Sequence, residues 1–260
     1  MNTRRIVAAA LCLASVCLGA PAGAAPDAQR IVVASDAVRN PGRPFSVNVA
    51  LSEFQDGKRV DASSMVTYSR TLAQDAQFAT LVRFTAPARD TGKLMLKNGH
   101  DMWFYDPSTK ASVRLSPQQR LLGQASNGDV VTVNLARDYA AELGVEEEIQ
   151  DGERKNRRAY RLDLTASAED ATYGRIELWV DAGNNWPLKG RFFADSGKLL
   201  KTVYYRRYQS QLGTDRPTEL VIIDGLNQGA VTLMRLTDYS AKNLPGSWFQ
   251  RDYLPRFQPE

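Results

Sequence analysis

From Phe45 onward the chain is written in short runs of alternating apolar and polar residues, and that pattern restricts it to a β architecture. Residues 159–164 (AYRLDL) set Tyr160, Leu162 and Leu164 against Arg161 and Asp163. Residues 175–181 (RIELWVD) do the same with Ile176, Leu178 and Val180. Such alternation puts one set of side chains on each face of a strand. The runs PLKGRFFA and KLLKTVYYRRY are joined by Asp195-Ser196-Gly197, and TELVIID and AVTLMRLTDY are joined around residues 225–229. About a dozen such runs, with turn residues roughly every 8–12 positions, are the signature of a sandwich or barrel. No internal repeat is visible.

Two tight turns predict register. Asp56-Gly57 separates PFSVNVALSEF from KRVDASSMVTYSR, and a two-residue Asp-Gly loop is a strong hairpin signal. Pairing Gln55 with Lys58 sets Leu51 opposite Ala62, Val47 opposite Val66 and Phe45 opposite Tyr68. One face then carries Phe45, Val47, Val49, Leu51, Val66 and Tyr68. The other carries Asn48, Ser52, Arg59, Asp61, Ser63 and Thr67, with Phe54 and Met65 as exceptions. Residues 83–115 (RFTAPARDTGKLMLKNGHDMWFYDPSTKASVRL) repeat the pattern around Asn98-Gly99. A loop there pairs Lys97 with His100 and sets Leu94 against Trp103, so Leu94, Leu96, Trp103 and Tyr105 share a face. The opposite face, with Lys93, Met95, Lys97, His100, Met102 and Phe104, is mixed, so the first is taken as the interior.

Helical patterns are few. Residues 27–39 suit a short amphipathic helix with Ile31, Ala34 and Val38 near one face, ended by Asn40-Pro41-Gly42. Pro117 to Leu122 could make a helical turn. Val131, Leu135, Tyr139 and Leu143 recur every four residues, as on one helix face, with Gly144 as its C-cap. Glu146-Glu-Glu148 and the basic run 154–158 read as a solvated strand end and turn.

Residues 1–24 read as a cleaved signal peptide, with Arg4 and Arg5, an apolar stretch from Ile6, and Ala22-Gly23-Ala24 as the cleavage signal. The stretch is short of the ~20 residues that a spanning helix needs. Both cysteines, Cys12 and Cys17, lie in it, and the residues before them are wrong for lipidation. Without Arg4 and Arg5 the formal charge of +4 falls to +2, which argues against nucleic acid as a partner. Residues 25–260 fit one large all-β domain as easily as two smaller ones.

No catalytic constellation emerges. The single histidine, His100, sits at a hairpin tip and reads as a solvated turn residue. A zinc site needs several His or Cys ligands. Residues 123–128 have Gly-x-x-x-x-Gly spacing without the Lys-Ser/Thr of a phosphate loop. Carboxylate pairs of a hydrolase stay open, with the Asp and Glu residues mostly at turns and on polar strand faces. What remains is apolar. A curled antiparallel sheet must have its concave face covered. Composition allows equally a packed core or an apolar cavity that would gain about 0.8 kcal/mol for each acyl CH₂ it takes up.

The block GHDMWFYDPSTKASVRLS, preceded by RFTAPARDTGKLMLKNG, resembles the outer-membrane lipoprotein-sorting family. ASDAVRNPGRPFS resembles the first helix and strand of that family. PTELVIIDGLNQ and LTDYSAKNLPGSWFQRDYL resemble its final hairpin and closing loop, in the same order. The resemblance implies a mainly β fold, an unclosed β-barrel of about eleven strands lidded by short helices, in a single domain over residues 25–260. It implies a periplasmic, non-catalytic carrier without cofactor or metal that holds acyl chains of lipoproteins or lipids. Its lipid-binding residues would be Phe45, Val47, Val49, Leu51, Val66, Tyr68, Leu94, Leu96, Trp103 and Tyr105. Val131, Leu135, Tyr139 and Leu143 would form the lid. An inner-membrane transporter and an outer-membrane acceptor would be its partners, with the carrier monomeric. A module that senses lipoproteins or envelope stress, and an accessory protein of a lipid-exporting transporter, are the competing readings. Where many relatives carry a Gly-Ser-Asp-Phe-like segment this chain has residues 123–129, GQASNGD. No counterpart of the strand arginine that latches the family's lid is evident.

Overall fold

The structure, a computed structural model, describes residues 26–72 and 77–259. Residues 1–24, read as a signal peptide, lie outside the described residues. The elements in chain order are α1 (Ala28–Arg39), β1 (Phe45–Gln55), β2 (Lys58–Thr71), β3 (Phe78–Ala86), β4 (Leu94–Asn98), β5 (Asp101–Asp106) and β6 (Ala111–Arg114). Then come β7 (Arg120–Leu122), β8 (Ala125–Ser126), α2 (Leu135–Asp138), β9 (Tyr139–Gln150), β10 (Asn156–Ala166) and β11 (Arg175–Asp181). The last are β12 (Pro187–Phe193), β13 (Leu199–Gln211), β14 (Thr214–Asp224) and β15 (Ala230–Ala241).

Thirteen of the strands form one antiparallel sheet in the order β6-β5-β4-β3-β2-β1-β15-β14-β13-β12-β11-β10-β9. This is more than the resemblance implies. Two meanders make it. One runs from β1 at the centre out to β6. The other starts at the opposite edge with β9 and returns to β15, which pairs with β1. The sheet does not close between β6 and β9. Its ends are bridged instead by loops, with Lys97 and His100 of the first meander both bonded to Asp170 between β10 and β11. His100 is a turn residue, exposed as read from the sequence, but it has this carboxylate as a partner at 2.6 Å.

Helix α1 forms where it was predicted. The Asp27 carboxylate caps it, accepting from the Gln29 and Arg30 amides, and Ile31, Val32 and Val38 are buried. The helix expected over 131–143 does not form. Its only helical turn is α2, and Tyr139 and Leu143 belong to β9, where Leu143 pairs with Leu162 and Tyr139 with Ala166. A spacing of four satisfies a strand period of two as well as a helix period near 3.6, and β10 supplies the ladder partner. Gly144 lies inside β9 at a register shift, not at a helix end. Residues 117–122 make a turn and then strand β7. The acidic run on the edge strand β9 is solvated in part, with Glu146 paired to Arg158 at 2.6 Å.

Both turn-derived registers shift. In the β1–β2 hairpin Gln55 does pair with Lys58, but the ladder slips between Phe54–Arg59 and Glu53–Asp61, leaving Val60 as an extra residue. Beyond this bulge Leu51 faces Ser63, Val49 faces Met65, Val47 faces Thr67 and Phe45 faces Ser69. Val66 and Tyr68 are therefore on the opposite face from Phe45. In the β4–β5 hairpin the turn residues are Gly99 and His100, so Lys97 pairs with Met102, Leu96 with Trp103 and Leu94 with Tyr105. That shift is by two and keeps the predicted face intact, but it is the convex face. There Leu94, Leu96 and Tyr105 pack with Leu81, Tyr68 and the chain's end, from Leu244 to Leu254. Tyr68 meets Trp248 edge-on at 5.4 Å, and Arg251 lies 3.9 Å over Trp103. The concave face of the same strands carries Met95, Met102 and Phe104.

Strand β4 is thus buried on both sides. Neighbouring truncations Met95→Ala and Leu96→Ala are each expected to lower stability by about 2–5 kcal/mol, the range for large-to-small core changes. Guanidinium unfolding followed by circular dichroism measures both. A loss confined to one of the two would contradict the double-faced packing.

Candidate functional site

The concave face is a groove lined from strand to strand by side chains in register. Phe45, Val47, Val49 and Leu51 of β1 adjoin Met65 of β2, Val82 and Phe84 of β3, and Met95 of β4. On the other side Met234 and Leu236 of β15 lead to Leu220 and Ile222 of β14 and to Val203 and Tyr205 of β13. Because the first meander ends at one edge, β6, and the second begins at the other, β9, the connection between them crosses this groove.

That connection plugs it. At one end the β7–β8 hairpin turns through Gly123, whose φ is +54° and whose missing Cβ would lie 2.3 Å from the Thr232 hydroxyl. No larger residue fits there. The Gln124 amide donates to the same hydroxyl at 2.7 Å. The chain then runs lengthwise as a strap over residues 130–134, with Val130 and Val131 buried in the groove, and reaches α2 beside α1. No ladder holds the strap. The Thr67 hydroxyl donates to the Val130 carbonyl at 3.3 Å, the Ser69 and Thr132 hydroxyls bond at 2.6 Å, and the Thr132 amide donates to the Thr80 hydroxyl at 3.3 Å. At the helical end Asn40 donates to the Val133 carbonyl at 2.8 Å, and the Asp36 carboxylate accepts from the Ala136 amide at 2.8 Å. Gln29 donates to the Ala136 carbonyl at 2.5 Å. These polar residues are the ones the sequence reading missed. Thr67 was placed on the solvent face, and nothing local marks a buried Ser or Thr as a strap ligand.

Of the residues predicted to line a cavity, Phe45, Val47, Val49 and Leu51 are together on the concave face, with Val131, Leu135 and Tyr139 packed over them or beside them. Leu143 is partly buried at the edge of the same cluster. Val66, Tyr68, Leu94, Leu96, Trp103 and Tyr105 are on the convex face, under the chain's end. Two small apolar cavities flank the strap and share Val131, Val133 and Tyr205 in their walls. One, of about 100 Å³, is bounded by Phe45, Val47 and Val49. The other, of about 90 Å³, reaches Ile176, Phe192 and Ile222.

A buried polar knot anchors the strap at the hairpin end. Asp129 accepts from Lys201, from the Tyr173 hydroxyl at 2.8 Å and from the Ser126 amide at 2.8 Å. Burial lowers the Lys201 pKa, against the pull of Asp129. Burial, then the Asp129 charge, raises Tyr173. Among the described residues no group of His, Cys, Asp and Glu could hold a metal ion, and no helix is long and apolar enough to cross a membrane.

An unclosed sheet wrapped around an apolar plug defines a class of β-barrel-like proteins with a covered groove, and relatives are found there. A family model described as "Uncharacterized protein" matches residues 77–256. A LolA superfamily protein from Nitrosomonas europaea is 34% identical, with a TM-score of 0.78, over 88% of this chain and 100% of that one. The chain belongs to the LolA superfamily. A DUF1329 family protein from Desulfovibrio piger (22% identity, TM-score 0.73, 87% and 97% of the two chains) has the same fold. So does an outer membrane lipoprotein-sorting protein domain from Vibrio parahaemolyticus (18%, 0.73, 88% and 98%). No curated protein matches.

Where the strap joins β9, Asp138 is buried and accepts from Gln77 at 2.6 Å. Burial first, then the charge of Asp170, raises its pKa to about 6. An unfolded aspartate titrates near ~3.9, so the folded chain holds an extra proton between the two values. The stabilising contribution is complete below the unfolded value and is lost as pH rises through about 6. Asp138→Asn, which keeps the acceptor and removes the charge, is expected to raise the melting temperature at pH 7.5 and to change it little at pH 4. Thermal scans at both pH values decide this, and an equal shift at both would refute it.

Proposed function

We propose that the protein is a periplasmic carrier that takes acyl chains of lipoproteins or lipids into the groove beneath the strap and passes them between membranes. The observation that carries this is the strap itself. It is seated in an apolar groove and tied down by side chains instead of by a strand ladder. Binding pockets for small molecules typically run to ~300–1,000 Å³. The flanking cavities, at about 100 and 90 Å³, are far below that while the strap is in place. Residues 130–134 stand between the two, so moving them aside would join the cavities along Phe45, Val47, Val49, Leu220 and Ile222.

Membership of the LolA superfamily, the likeness to a lipoprotein-sorting domain and the signal-type leader at residues 1–24 support this reading. An inner-membrane donor and an outer-membrane acceptor would complete the route, with the carrier acting as a monomer.

Ser69 and Thr132 touch through their hydroxyls at 2.6 Å, so Ser69→Cys with Thr132→Cys can lock the strap across the groove. The mature chain offers no other cysteine. Uptake of a fluorescent fatty acid is expected to fall by at least about tenfold, near 1.4 kcal/mol, in the oxidised double variant and to return on reduction. Native mass spectrometry of the unmodified protein is expected to show co-purified or exchangeable lipid. Equal uptake in the locked and reduced forms would refute strap displacement.

A further inference from the structure

Beyond the apolar groove, at its hairpin end, lies a separate cavity of about 190 Å³. Its rim holds Arg120 of β7 and Lys198 before β13, and its floor holds Lys201, Ser126 and Tyr173. The Lys201 side chain is only 4% exposed. Its ammonium donates to Asp129 and to the Gln124 carbonyl at 3.3 Å, and lies 4.9 Å from the centre of the Tyr173 ring. Asp129 is already engaged by Tyr173 and Ser126 as well as by Lys201. The remaining acid of the wall, Asp224, accepts from the Leu226 and Asn227 amides at 2.8 and 2.9 Å. Three cations therefore converge on the cavity against Asp224 in its wall, which interacts with Arg120 and Lys198, and Asp129 beside Lys201, so the balance stays positive. A buried ammonium beside two exposed cations, with net positive charge left over, is complementary to an oxyanion.

We infer that this cavity binds a phosphate group, with Lys201 below it and Arg120 and Lys198 at its mouth. Tyr173 also lines the 90 Å³ apolar cavity, so a phosphate seated here leaves an attached acyl chain beside the groove. That placement of a tail rests on the carrier reading. The anion site does not, and free phosphate has the same chemistry as a lipid head.

Calorimetry separates the two sources. Wild type is titrated with inorganic phosphate, with lysophosphatidylglycerol below its micelle concentration, and with a monoacylglycerol of the same chain length. The comparison variant is Arg120→Gln with Lys198→Gln, both at exposed positions outside the buried knot. The anionic lipid is expected to bind about tenfold more tightly than the neutral one, with the preference lost in the variant and weakened by salt. Phosphate binding that is lost in the variant, without any preference for the anionic lipid, would assign the site to free phosphate. Absence of both phosphate binding and the anionic preference would overturn the proposal. Failure of the monoacylglycerol to bind counts against the carrier reading alone, because the phosphate titration still decides the anion site.

Discussion

The pairing of β1 with β15 is what the rest of the structure depends on. It places the first strand and the last at the middle of one sheet and sends the two meanders outward, so their free edges, β6 and β9, are the two ends of the sheet. The chain must travel between those edges, and the concave side is where it does so. The strap is thus a topological consequence of the strand order. An apolar segment such as Val130-Val131 is then favoured in it, because the groove it crosses is lined by Phe45, Val47, Val49 and Ile222.

Crossing a groove lengthwise leaves backbone groups that no neighbouring strand can satisfy. Buried amides and carbonyls without partners are costly. Here the Thr67 and Thr80 hydroxyls serve the Val130 carbonyl and the Thr132 amide, Asn40, Asp36 and Gln29 serve Val133 and Ala136, and Ser69 adds a bond to the Thr132 hydroxyl. Side-chain bonds of this kind contribute only about 0.5–1.5 kcal/mol each, and the groups they release can bond to water. A segment fixed in this way is ordered when seated and separable without breaking the sheet. The Lys201–Asp129–Tyr173 knot differs. It is deep, charged and shared among three elements, so it is the fixed end from which the strap would swing.

Most of the strands were legible in the sequence, because alternation and turn residues are local. The faces were less so. One extra residue at Val60 reverses every side chain beyond it, and Met65, which looked like an exception, was the true sign of the concave face. The shift by two at Gly99-His100 left the Leu94, Leu96, Trp103 and Tyr105 face intact, yet its apolar character did not mark the groove. Residues from 244 to 254 cover it from outside, and which of two apolar faces receives a distant segment is not written in either strand. The four-residue spacing from Val131 to Leu143 was real but belonged to a strap and a strand. Thr67, Ser69 and Lys201 became legible as anchors of the strap and its hairpin end only when tertiary structure brought their partners to them.

In the proposed carrier the strap and an acyl chain would compete on nearly equal terms. Burying a Val or Leu side chain stabilises by ~1.5–3 kcal/mol, so Val130, Val131 and Leu135 together hold the strap with roughly 5–9 kcal/mol of apolar burial. An acyl chain of a dozen or so methylenes gains on the order of 10 kcal/mol at about 0.8 kcal/mol per CH₂. Were the strap much weaker, the empty groove would stand open to water and to other chains. Were it much stronger, no acyl chain would displace it. A near balance would let the proposed carrier load where lipid is concentrated and empty where an acceptor binds more tightly, since a ligand shifts a two-state segment only by its differential affinity for the two states. The small residual cavities beside Val131 and Val133 are consistent with that balance, because a plug that filled the groove completely would forfeit it.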